Sequence, residues 1–279
     1  VLLPAILLLA ITAGLVLVRN GREAGPDLAD LPQTPPAVRK AIDAARNRVD
    51  EQPKSAEAWG QLGMVLLAHD IHAPAERCFS RAEELDPGQY LWPYLGGVSR
   101  AVRDPQGALP MLRRAVERGP DRLHARLRLA ELWLDRGELT DAEREIGAAQ
   151  ELAPDDPRAA LAQARLLYSR GEFDAALPWA ERSRQAAPQQ RATLELLAQL
   201  YHRLGESKAA EEAVSAIERL PDGRTNWDDP AVTQVLALRR DADWQALRAQ
   251  SLFAEGDRAA AIALLEQVVR DHPEKPGYA

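Results

Sequence analysis

Five histidines, one cysteine and several paired acids are the residues of this chain that could do chemistry, and spacing decides what each can do. His69-Asp70-Ile71-His72 is the one histidine cluster; two imidazoles and a carboxylate could start a metal site. Two histidines and one aspartate do not close a coordination shell, so the simpler reading is a turn between two helices, and no metal is expected. Cys78 directly precedes Phe79 on an apolar-periodic segment, which suits a buried, inert thiol. A single cysteine also excludes an intramolecular disulfide, a cysteine-rich zinc site and a covalent haem on a C-x-x-C-H motif. Asp155-Asp156 and Glu83-Glu84 pair carboxylates in sequence, but acid–base catalysis needs convergence in a cleft. Phosphate-cradling glycine loops, G-x-S-x-G and H-E-x-x-H are absent from the sequence. No catalytic residue and no cofactor is therefore assigned. Trp227-Asp228-Asp229-Pro230 admits two readings: an acidic–aromatic docking point, or a helix cap at Asp229 with Pro230 at the first helical position. Capping preference favours the second.

The elements that must hold these residues are helices. The 279 residues carry 35 lysines and arginines against 42 acids, a net charge of −7, with 46% hydrophobic and 28% charged residues. That balance excludes wholesale disorder. An acidic chain without a basic stripe also argues against nucleic acid as a partner.

Residues 1–18, VLLPAILLLAITAGLVLV, are uncharged and long enough as a helix to cover roughly 27 Å. Ala13-Gly14 could serve as a signal-peptide cleavage site, but the apolar run continues to Val18, which favours an uncleaved anchor over residues 1–19. The body is then expected at a membrane on the extracytoplasmic side; Arg19 and Arg22 would support the cytoplasmic alternative. A first residue of valine and a closing KPGYA lead to the expectation that the native chain extends beyond both ends. Residues 20–36 read as a proline- and glycine-rich linker, and residues 37–54 as a capping helix with Val38, Ile42, Ala45 and Val49 on one stripe.

From residue 55 the sequence repeats. Trp59, Leu62, Gly63 and Leu66 precede Ala75, Phe79, Ala82 and Pro87. Trp92, Leu95 and Gly96 then precede Ala108, Leu112, Ala115 and Pro120. Later copies keep Ala142 and Pro154, Ala176 and Pro188, and Ala210, with Gly137, Gly171 and Gly205 spaced 34 and 34 apart. This pattern resembles the tetratricopeptide repeat, with Leu66 in place of the usual tyrosine. The resemblance implies an all-α, right-handed α-solenoid of helix-turn-helix units, here preceded by a hydrophobic N-terminal helix as in bacterial membrane-anchored members. Repeats one to five occupy 55–221. The next matching glycine, Gly256, lies 51 residues after Gly205, so 51 − 34 leaves 17 extra residues. They are read as an insertion over 222–241 with a short helix, followed by repeat six and the start of another over 242–279, with Ala261 and Pro273 at repeat positions.

The resemblance also implies function: the first helix of each repeat lines a concave groove that binds a protein or peptide. Carried onto this chain, the groove positions are Tyr90, Arg100, His124, Glu131, Arg158, Arg165, Tyr168, Glu195, His202 and Arg203. Aromatic and arginine side chains are the types that anchor interfaces. The lysine and asparagine set that clamps a C-terminal carboxylate in some members is not present. The reading is a non-catalytic scaffold at a membrane. Its alternative is the accessory portion of a larger enzyme or assembly factor, such as a glycosyltransferase, peptidase or electron-transfer complex.

Overall fold

A computed structural model describes residues 34–220 and 229–272. The apolar run 1–18, most of the linker, Trp227-Asp228 and Pro273 lie outside the described residues. Among the described residues there are fourteen α-helices and no strand, and none of these helices is long and apolar enough to cross a membrane.

Helix α1 (Pro36–Glu51) buries Val38, Ile42, Ala45 and Val49, the stripe given by its periodicity. Five hairpins follow: α2 (Ala56–Ala68) with α3 (His72–Leu85), α4 (Leu91–Ala101) with α5 (Pro105–Arg118), α6 (Leu123–Asp135) with α7 (Leu139–Leu152), α8 (Pro157–Ser169) with α9 (Phe173–Ala186), and α10 (Arg191–Leu204) with α11 (Ser207–Glu218). A short helix α12 (Pro230–Leu236) and a hairpin of α13 (Ala242–Ala254) and α14 (Arg258–Asp271) complete the described chain.

Local chemistry sets these boundaries. Ser55, Asp104, Asp156, Asp229 and Asp257 each accept a hydrogen bond from a backbone N–H of the first turn they precede. Pro105, Pro157 and Pro230 stand where the missing N–H costs nothing. Pro87, Pro120, Pro154 and Pro188 each fall two residues beyond a second helix. Pro110 and Pro178 lie inside α5 and α9, and both helices continue through them. In five of the six hairpins among the described residues the turn takes a left-handed residue, and the α4–α5 turn does without one. Gly137, Gly171, Gly205 and Gly256 supply it, with φ between 74° and 91°. In the first hairpin Asp70 takes this position at φ 60°, a conformation that aspartate tolerates better than most residues. The His69–His72 segment is thus the interhelical turn, and no group of three metal-ligating residues occurs among the described residues. Cys78 is fully buried, and burial pushes its thiol up to about 12, which keeps it protonated at neutral pH.

Each hairpin packs on the next through its second helix and the following first helix. Ala75, Ala108, Ala142 and Ala176 are completely buried where helices approach, while Ala210 is half-buried. Carboxylate–arginine pairs link successive repeats: Glu83 takes Arg114 at 2.7 Å and Arg118 at 2.8 Å, and Glu143 takes Arg170 at 2.6 Å, while Glu145 takes Arg126 at 2.9 Å within the third hairpin.

The regular stack changes after α11. That helix and α13 do not pack as neighbouring repeats do. Helix α12 instead packs on α2 and α4, and its Ala231 and Val235 enter the core of the first repeats. The residues that follow are gripped by the last hairpin: the Gln245 amide donates to the Arg239 carbonyl at 3.2 Å, and His272 Nε2 lies 2.7 Å from the Arg240 carbonyl. The insertion therefore crosses back over the first helices of the solenoid.

Candidate functional site

The first helices carry two groups of candidate residues. One surrounds Asp229. From α4, the buried Tyr94 donates its hydroxyl to the Asp229 carboxylate, and Arg128 of α6 lies against the same hydroxyl. His124 stands edge-on to Tyr94, with ring centroids 4.9 Å apart, and 5.8 Å from Tyr90. Arg122 stacks over Tyr90 at 4.9 Å, and Arg128 pairs with Glu131 at 3.2 Å. Asp229 itself accepts from the N–H groups of Ala231 at 3.1 Å and Val232 at 3.2 Å. Asp229 is the cap that the sequence favours: its carboxylate caps α12 and also fastens it to α4.

Electrostatics follow from burial. Burial and Asp229 together raise Tyr94 well above the usual phenol range, which keeps the hydroxyl a donor. Burial opposes the charge on Arg128, but Glu131, Tyr94 and Asp229 outweigh it and raise its pKa. Burial lowers His124; Arg158 and Arg122 add to that, and Asp229 opposes it. At the other end of α12, His69 Nδ1 lies 3.2 Å from Asp241. Arg239 donates to Asp241 at 2.8 Å and to Asp70 at 3.0 Å. Burial lowers His69 against the pull of Asp241, with Arg239 and Arg240 reinforcing the shift.

A pH dependence follows. Both imidazoles sit below their unfolded value of about 6.5, so the unfolded chain binds more protons than the folded one as the pH falls. Their contribution is present above that value and is lost as the pH drops through it toward the lower folded values. The urea midpoint is expected to decrease between pH 7.5 and 5.5, above the carboxylate range. A midpoint that rises over this interval would contradict the assignment.

The second group lies further along. Tyr168 of α8 packs against Phe173 at 5.3 Å, and Arg203 of α10 lies 5.8 Å from the same ring. Arg165 bonds Asp135 at 2.9 Å. Glu195, His202 and Arg203 are exposed. Arg158 is turned locally onto Asp156, its helix cap, at 2.7 Å.

Arg100, also expected in the groove, pairs toward α3. Its guanidinium bonds Glu76 of α3 at 3.0 Å and Asp104 at 3.2 Å, beside Arg103, which pairs with the same Glu76. It joins α3 to Asp104, the cap of α5. The reason is position: Arg100 stands in the last turn of α4, where the side chain meets the turn and α3. Sequence reading also passed over Tyr94 and Arg128. Tyr94 had a usable signal, since a buried tyrosine needs a partner for its hydroxyl.

Family models described as tetratricopeptide repeat match residues 100–166 and 161–224. Over residues 100–224 the chain carries tetratricopeptide repeats. The repeat fold is similar to a chain of the Cut9–Hcn1 hetero-tetramer of the APC/C, with a TM-score of 0.56 and 17% identity over 86% of this chain and 45% of that one. It is also similar to YrrB, a tetratricopeptide repeat protein with an unusual peptide-binding site (TM-score 0.52, 20% identity, 65% of this chain and 94% of that one). A third similar structure is pilF of Pseudomonas aeruginosa, with a TM-score of 0.53 and 16% identity over 85% of this chain and 96% of that one. This chain spans less than half the length of the Cut9–Hcn1 chain. At such identities the likeness establishes the repeat fold and leaves function to the residues. No curated protein sequence matches the chain.

Proposed function

We propose that this protein is a non-catalytic scaffold that binds a protein or peptide on the first helices of its repeats, arranged as a right-handed superhelix and tethered at a membrane through residues 1–18. The observation that supports it is the surface of α8 and α10. Tyr168, Arg203, Glu195 and His202 offer an aromatic ring and charges of both signs, on helices whose backs are fixed by the repeat core. Such a surface is preformed, so little ordering opposes binding. An arginine there can take a partner carboxylate in two hydrogen bonds. YrrB supplies a parallel in its peptide-binding site, on a likeness that extends to the fold alone.

Photo-crosslinking of the full chain in its native membranes tests the reading. A photoreactive residue at position 168 is expected to give a discrete protein adduct, and one at the exposed Arg113 of α5 is not. Equal adducts from both sites, or none from either, would overturn groove binding. The chain lacking residues 1–18 is expected in the soluble fraction; retention on membranes would overturn the tether.

A further inference from the structure

The first-helix surface divides into a part that is open and a part that the chain itself covers. Over α8 and α10 it exposes Glu195, His202 and Arg203. Over α2, α4 and α6 it carries residues 229–241. That segment sits as a bound peptide would. Its short helix buries Ala231 and Val235, four residues apart, with Leu238 packed behind them, while Thr233 and Gln234 face outward. This is the spacing of an amphipathic helix in a groove. Polar anchors hold both ends. Asp229 accepts from Tyr94 beside Arg128, and Arg239 with Asp241 engages Asp70 and His69. The principal packing of α12 is on α2 and α4, not on its chain neighbours α11 and α13. It is therefore joined to the solenoid as a ligand is, through one small apolar stripe and two polar ends.

We propose that the groove over repeats one to three is a receptor for a short helix capped by a carboxylate, with small apolar residues two and six positions after the cap, and that residues 229–241 fill it in cis as a displaceable pseudo-ligand. A partner protein bearing such a segment would bind by exchange. Binding is then regulated by the chain itself, because the tether holds its own segment at an effective concentration on the order of millimolar. The apparent affinity for a partner falls by the fraction of time that the groove is open. The existence of a partner rests on the scaffold reading above; the exchange can be tested without one.

The probe is a labelled synthetic peptide of residues 229–241. It is titrated into the wild-type chain and into a chain carrying Asp229→Ala and Val235→Asp, which unseats the segment and leaves Tyr94, Arg128 and the groove intact. The double variant is expected to bind the peptide at least tenfold more tightly than wild type, which follows if the groove is open about a tenth of the time or less. Adding Tyr94→Phe is expected to weaken that binding. Equal binding by wild type and variant would overturn the proposal, as would no binding by a variant whose helical circular dichroism is intact. If the variant does not fold, hydrogen exchange on the wild type decides: amides 232–238 should exchange through local opening well ahead of those in α4, and equal protection would overturn exchange. A wild-type dimer that Asp229→Ala dissolves would make the occupant a second copy and also overturn it. Failure of the scaffold reading would show separately, as loss of the adduct at Tyr168 with peptide exchange preserved.

Discussion

Gly63→Leu is expected to lower folding stability by about 3 kcal/mol, whereas Arg165→Ala should stay within about 1 kcal/mol. A Cβ added at Gly63 would lie 2.7 Å from Cε1 and 2.9 Å from Cδ1 of Phe79. Phe79 is itself 1% exposed and cannot swing away. Leucine brings three further carbons into that space, so α2 and α3 must separate, and the separation reaches α4 on the far side of α3. Arg165 makes an exposed pair with Asp135, of a kind that water and salt largely screen. The difference should appear as a melting temperature lower by roughly 5–10 °C for the glycine variant and nearly unchanged for the arginine variant. Equal shifts would mean that α2 and α3 do not approach at Gly63.

That glycine was legible without a structure, and the reason separates what sequence conveys here from what it does not. A repeat protein writes its contacts at short range. The position that sets α2 against α3 recurs about every 34 residues, so one sequence holds several copies of the same statement. Asp104 and Asp156 capping, the turn glycines and the prolines beyond each second helix follow equally local rules. Within the repeats, side-chain bonds span about one unit: Glu83 to Arg114 is 31 residues and Glu143 to Arg170 is 27. Residues 229–241, which strap across the first repeats, are different. Tyr94 to Asp229 spans 135 residues, Asp70 to Arg239 spans 169, and His69 to Asp241 spans 172. Nothing periodic encodes those pairs. The sequence shows Asp229 as a cap and cannot show that its remaining lone pairs go to Tyr94. A position carried over from a pattern likewise does not say that Glu76 will take the Arg100 side chain toward α3.

These ranges make the strap separable from the repeats. A solenoid is stabilised by each unit and its neighbours, so loss of one distant contact need not unfold the stack. Val235→Asp is expected to expose this. Val235 is 3% exposed between α2 and α4, within the apolar core of the first repeats. Burying a carboxylate there would cost at least about 3 kcal/mol. The chain has a less costly alternative, which is to let α12 leave. Amide protection over 232–238 should collapse, and Asp229 and Arg239 should lose their anchors with it, since the two ends hold only while the apolar stripe is seated. Protection in α6 to α9, and most of the helical signal, should persist. Gln234→Asp, one residue away on the exposed face, should change stability by no more than about 0.5 kcal/mol. Hydrogen exchange on both variants reads the outcome. If Val235→Asp instead unfolds the whole chain, α12 is part of the folding core and the groove it covers was never a site apart from it. Local loss would mean that the repeats form the groove by themselves and that the insertion only occupies it.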